Sequence, residues 1–235
     1  MDALGSGLKE GLRLLLSGDP YLWEVILLSA KVSGIALCIS ALIGIPLGAF
    51  LGLAHFPGRR IAQALIYTGM GLPPVVVGLA VYILLSRKGI LGPMNLSWVP
   101  ELFTVPAMIV AQVIIATPLV IGYTMSSVAE VDPNLRLQVR ALGATPLQVT
   151  WAILREARQG VLVALVGGLG SIISEIGAVM MVGGNIEHST RVLTTAIMLE
   201  TRRGNFDLAI GLGVVLLLCA FITNLAATQL QGKGK

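Results

Sequence analysis

The chain has 235 residues and a net charge of +4, with 55% hydrophobic residues and only 12% Asp, Glu, Lys and Arg. Soluble domains carry about 25% charged residues, so 16 basic and 12 acidic side chains cannot clothe a soluble enzyme of this length. A mean hydropathy of +0.88 excludes a disordered chain. The basic residues lie in small groups between apolar runs, which argues against a nucleic-acid binder. What remains is a multi-span membrane protein.

Residues 3–18 carry Leu4, Leu8, Leu12, Leu15 and Leu16 at helical spacing, with Lys9, Glu10 and Arg13 between them. That pattern predicts an amphipathic surface helix over residues 1–19, lying on the membrane. Asp19-Pro20 is an N-cap followed by a first-turn proline. The membrane domain is then expected to fill 20–235.

A helical span needs about 20 mostly apolar residues. Charge-free runs cover 32–54, 61–86, 102–129 and 208–232, and 159–186 holds a single formal charge, Glu175. Five spans are therefore expected, near 20–54, 61–86, 102–129, 159–183 and 207–231. No alternating barrel pattern is present, so the spans are helices. The first run exceeds a signal-peptide core of about 7–15 residues, so no cleavable signal is expected. Cys38 and Cys219 fall inside spans and read as buried small hydrophobes, with no disulfide or metal-ligand spacing.

Within the spans, Gly44, Gly48 and Gly52 form a stripe suited to close helix packing. Pro73-Pro74, flanked by Gly69, Gly71 and Gly78, should break or kink the second span and could line a path. Glu175, read in one continuous helix at about 1.5 Å per residue, lies some 17 residues beyond Arg158, toward the outer bilayer. Gly167, Gly170, Ser171, Ser174 and Ala178 surround it. A carboxylate there repels anions, so it reads as an interface anchor or a gate. Gly183-Gly184-Asn185 is an outer turn, and His55 and His188 read as exposed polar groups in links.

Two links are long. The link 183–207 carries Thr190, Arg191, Arg202 and Arg203. These arginines could raise the local concentration of an anion, or pair with Glu187, Glu200 and Asp207 or meet lipid headgroups. The link 130–158 has Asp132-Pro133, then Gly143, then Thr145-Pro146. This punctuation predicts helix, glycine turn, helix. Composition alone leaves it either a docking knob or a simple connector.

Within that link, Leu137-Gln138-Val139-Arg140-Ala141-Leu142-Gly143-Ala144, with Ile153 ten residues after the glycine, resembles the "EAA…G" loop of ABC-importer permease subunits. It departs from the motif in having Leu-Gln-Val for Glu-Ala-Ala at 137–139, and Arg155-Glu156 for the closing Leu-Pro. The stretch 174–186 is similar to the segment that follows the loop in molybdate- and tungstate-type permeases. Thr190-Arg191-Val192-Leu193-Thr194-Thr195-Ala196-Ile197 with Glu200-Thr201-Arg202-Arg203-Gly204 looks most like the tungstate branch.

The resemblance implies an all-α permease with the core of a type I ABC importer, in the cytoplasmic membrane. It implies a second copy of the chain, a pair of ATPase subunits and an extracytoplasmic oxyanion-binding protein as partners. Arg140, Ala141, Leu142, Gly143 and Ala144 would form the helix that couples to the ATPase. Ser171, Ser174, Glu175, Asn185, Thr190 and Arg191 would be gate or pathway candidates. Tungstate is the expected cargo, with molybdate or sulfate as alternatives. No catalytic residue, cofactor or metal is expected. The chain lacks G-x-x-x-x-G-K-[ST], so ATP hydrolysis would belong to a partner. A secondary anion transporter would call for internal repeats and paired carboxylates, and neither is evident.

With the 130–158 link on the cytoplasmic side, five spans put the N-terminus outside and the C-terminus inside. Basic residues then number eight inside and seven outside. That bias is too small to orient the chain by charge alone.

Overall fold

The computed structural model describes residues 5, 9, 13, 18–94 and 96–232, and the described residues are helical with no strand among them. The expected N-terminal surface helix lies outside the described residues except at Gly5, Lys9 and Arg13. Ten α-helices follow from residue 20. They are α1 (Pro20–Leu53), α2 (Arg59–Met70), α3 (Pro74–Leu85), α4 (Val105–Ala129), α5 (Pro133–Ala141), α6 (Pro146–Glu156), α7 (Arg158–Ile173), α8 (Gly177–Gly183), α9 (Leu193–Arg202) and α10 (Phe206–Gly232). Three of them, α1, α4 and the apolar part of α10, are each long enough to cross a membrane. Two bent pairs, α2 with α3 and α6 with α7, raise the number to five if each pair is one crossing.

The helix starts follow from local chemistry. The Asp19 carboxylate accepts from the Tyr21 and Leu22 amides at 2.8 and 3.2 Å, and Pro20 needs no hydrogen-bond partner at the first position. The break between α2 and α3 falls at Pro73-Pro74, which supply no amide hydrogens, and the two helices meet at 98°. Pro46 and Pro118 sit inside α1 and α4, each surrendering one helical bond while the helix continues.

The scaffold is the pair α1–α4, packed along much of their length. Its closeness depends on the glycine stripe. A Cβ on Gly44 would lie 2.8 Å from Val120, and one on Gly48 would lie 2.7 Å from the Ile121 carbonyl oxygen. A Cβ on Gly52 would reach the Met125 carbonyl at 3.0 Å. Side chains at these positions would push the helices apart, so dispersion contacts between the backbones take the place of side-chain interdigitation. A main core then gathers α1, α3, α4, α7 and α8 around Val32, Val81, Met108, Ile172 and Val179.

Two sequence expectations need correction. A single helix over 159–183 is not formed: α7 ends at Ile173, and residues 174–176 separate it from the seven-residue α8. Cys38 is not buried within the chain. It lies on the outward face of α1, while Cys219 is half-buried. A thiol behaves as a small hydrophobe, so it is compatible with the outward face of an apolar spanning helix.

Candidate functional sites at the two ends of the bundle

The first site is the hairpin α5–α6. The Asp132 side chain accepts from the Asn134 amide at 2.9 Å and starts α5. At the other end, Gly143 has φ +84°, a left-handed conformation that costs a residue with a Cβ about 1–2 kcal/mol. In this geometry the Leu142, Gly143 and Ala144 amides reach back to the carbonyls of Gln138, Arg140 and Val139. Thr145 and Gln148 then cap α6 reciprocally: the Gln148 amide donates to Thr145 Oγ1, and the Thr145 amide donates to Gln148 Oε1.

The hairpin is anchored on one side and bare on the other. Ala49, Val128, Val149, Ile153 and Ala157 form a buried cluster tying it to the ends of α1 and α4. Arg136 Nη1 donates to the Leu53 carbonyl at 3.0 Å, and Arg59 donates to the Leu51 and Gly52 carbonyls. These bonds satisfy orphan acceptors at the C-terminus of α1. The tip is exposed: Leu142 is 88% accessible, and Arg140, Ala141 and Gly143 are exposed with it. Ala144 is half-buried against the anchoring cluster. A rigid knob with bare apolar side chains is suited to transmitting motion between a partner and the α1–α4 pair.

The second site is the break after α7, at the opposite end of α4. Glu175 lies in the break itself and is buried. Its Oε1 accepts from the Ala178 amide at 2.8 Å, so the carboxyl caps α8. Its backbone carbonyl accepts from Thr194 Oγ1 at 3.0 Å. Across the core, Gln112 Nε2 donates to the Ile172 carbonyl at 3.1 Å, next to the break. The Phe103 amide donates to the Val182 carbonyl at 2.7 Å, closing the end of α8. Phe103 pays for this with φ +63°, an uncommon backbone state for an aromatic residue.

The remaining pathway candidates fall into two groups. Ser171 and Ser174 end α7, and the Ser174 hydroxyl donates back to Gly170 at 2.8 Å, so it is engaged by its own helix. Thr190 bridges the loop that follows α8, donating to the Gly183 carbonyl and accepting from the Ile186 amide. Arg191 is buried, donates to Tyr21 Oη at 2.8 Å, and pairs with Glu187 at 3.4 Å. The Asn185 backbone carbonyl lies at its other end, 3.5 Å away. Arg203 pairs with Glu200 at 2.9 Å. Arg191 and Arg203 therefore take the ion-paired alternative, and Arg202 stands exposed. The helix α8 and the bond from Thr194 to the Glu175 carbonyl connect the two groups.

Sequence reasoning missed Gln112, Ser29 and the partner of His188. Gln112 is a lone amide in an apolar run, which is a usable signal. Ser29 Oγ accepts the Leu193 amide at 2.8 Å and so holds the start of α9. His188 is exposed but bonds Glu24 at 2.7 Å, and this hydrogen bond, aided by the negative charge, raises its pKa above the usual 6.5.

A family model described as "Binding-protein-dependent transport system inner membrane component" matches residues 44–233. Over 231 residues the chain is 40% identical to the tungstate uptake system permease protein TupB of Peptoclostridium acidaminophilum, covering 98% of this chain and 99% of that one. It is 29% identical over 182 residues to the molybdenum transport system permease protein ModB of Escherichia coli K12, covering 76% and 79%. Among solved structures, the inward-facing MetNI methionine ABC transporter superposes with a TM-score of 0.71 at 19% identity, covering 92% of this chain and 94% of that one. At that identity the likeness speaks for the fold.

Proposed function

Because the chain belongs to the family of binding-protein-dependent transport system inner membrane components, we propose that it is the permease subunit of an ATP-driven importer that carries tungstate across the cytoplasmic membrane. The observation that carries the substrate is the near full-length 40% identity to a tungstate uptake permease, against 29% over three-quarters of the chain for a molybdenum permease. Molybdate, and behind it sulfate, are the second reading within the same class.

In this reading two copies of the chain enclose the path, and an extracytoplasmic protein delivers the anion. A pair of ATPase subunits receives the α5–α6 hairpin, with Arg140, Ala141, Leu142, Gly143 and Ala144 at the contact. The hairpin faces the cytoplasm, so the N-terminus lies outside and the C-terminus inside. Displacement of the hairpin is passed to α1 and α4 through the Val149–Ile153 cluster and the Arg136–Leu53 bond. Because α4 also holds Gln112 against the carbonyl of Ile172, movement of α4 bears directly on the break at Glu175. Glu175 acts there as the cap that forms and releases α8, in keeping with a gate and not an anion ligand.

The test is uptake in cells lacking their own oxyanion importers and supplied with this chain, its ATPase and its binding protein. Accumulation of tungstate in preference to molybdate and sulfate supports the reading. Preference for molybdate moves the chain to the second reading, and uptake that persists without ATP overturns the class.

A further inference from the structure

Between the outward face of α1 and the helix α6 lies an open groove of about 1290 Å³. Its chemistry is two-part. One wall is apolar and runs along a membrane-spanning helix, through Leu42, Ile45 and Phe50. The other end is cationic: Arg136, Arg140 and Arg155 line it, and no acidic residue does. Among the described residues, Arg140 and Arg155 take part in no ion pair.

The placement of α6 points to the same chemistry. It meets α7 at 72°, so if α7 alone makes the crossing of this bent pair, α6 lies close to the plane of the membrane surface. Trp151, 70% exposed on α6, lines the same groove. Tryptophan and arginine together mark the level of the headgroups, where an amphipathic ring and a charge are both accommodated. Arg155 also stands where the EAA-type loop has its closing Leu-Pro, so this charge is unexplained by the coupling role.

We propose that this groove is a binding site for an anionic phospholipid. An acyl chain lies along Leu42, Ile45 and Phe50, and the phosphate is held by Arg155 together with Arg136, whose forked donors fit its oxygens, while Arg140 stays with the ATPase contact. Basic pockets between spanning helices at the membrane boundary take such headgroups. The fit depends on the headgroup level alone and holds for either orientation of the chain.

The test uses the full chain in vesicles of phosphatidylcholine doped with brominated-chain phosphatidylglycerol, or with brominated-chain phosphatidylcholine as the control. Trp23→Phe and Trp98→Phe leave Trp151 as the single reporter. The site predicts that Trp151 is quenched at a lower mole fraction of the anionic lipid than of the zwitterionic one. Arg155→Gln, at an exposed position, should lower that preference about fivefold, the contribution of one arginine near the surface, and Arg155→Lys should largely keep it. Equal quenching by both lipids would reduce the groove to ordinary lipid contact and overturn the proposal. Absence of quenching by either would mean that protein, such as a second copy of the chain, covers the groove, and would overturn it too.

Discussion

The chain interrupts its helices at both ends, and by different means. At the hairpin end every turn is made by neighbours in sequence: Asp132 with Asn134, Gly143 with the last turn of α5, and Thr145 with Gln148. At the opposite end the break at 174–176 combines the local Glu175 cap with two bonds from distant helices, from Gln112 to the Ile172 carbonyl and from Thr194 to the Glu175 carbonyl. A locally determined hairpin keeps its shape when its surroundings move. A break whose bonds come from several helices changes when those helices shift. The first arrangement suits a lever and the second suits a gate.

The largest expected effect tests the lever. Gly143→Val forces a β-branched residue into φ +84°. It should abolish uptake and uncouple ATP hydrolysis from transport while circular dichroism shows the helices intact. Retained ATP-driven uptake would remove the hairpin from the coupling role.

The scaffold joining the two ends comes next. Gly48→Val would overpack the α1–α4 contact, at a cost of about 1–3 kcal/mol, seen as a lower unfolding temperature in detergent. If stability is unchanged, the helices are looser than the 2.7 Å approach to Ile121 implies.

At the break, Glu175→Ala removes the cap of α8 and should cost about 0.5–2 kcal/mol, whereas Glu175→Gln keeps an acceptor and should retain most of the uptake. Equal loss in both variants would show that the negative charge, and not the cap, is what the gate uses.

The smallest effect concerns the bond from His188 to Glu24. The pKa of His188 is raised in the folded chain, so its stabilising contribution is complete below about pH 6.5 and fades as pH rises through the higher folded value. Glu24→Gln should bring the His188 titration, followed by NMR of its ring protons, back toward the ordinary value. An unmoved titration would show that the 2.7 Å contact is not formed in solution.

This contrast also explains what could be read beforehand. The hairpin was legible because its caps, prolines and glycine lie within a few residues of the groups they satisfy. The bend at Pro73-Pro74 was legible for the same reason. The break at Glu175 was not, since Ser174-Glu175-Ile176-Gly177 contains no proline and sits inside an apolar run of helical length. What stops the helix there is a cap three residues ahead and partners about 19 and 60 positions away. The arginines of the 183–207 link were legible as two alternatives. The choice between them needed the fold, which sets Tyr21 and Glu187 beside Arg191. The glycine stripe on α1 was read correctly because a spacing of four residues already places it on one helical face.

Contact between the hairpin tip and an ATPase on the cytoplasmic side can be read from a cysteine at Leu142. With Cys38 and Cys219 replaced by serine, Leu142→Cys is placed in membranes carrying the partner ATPase. Cross-linking of this cysteine to the ATPase is expected, with labelling by a membrane-impermeant maleimide only from the cytoplasmic face once the ATPase is stripped away. Labelling from outside, or no cross-link while ATP-driven uptake continues, would contradict this contact.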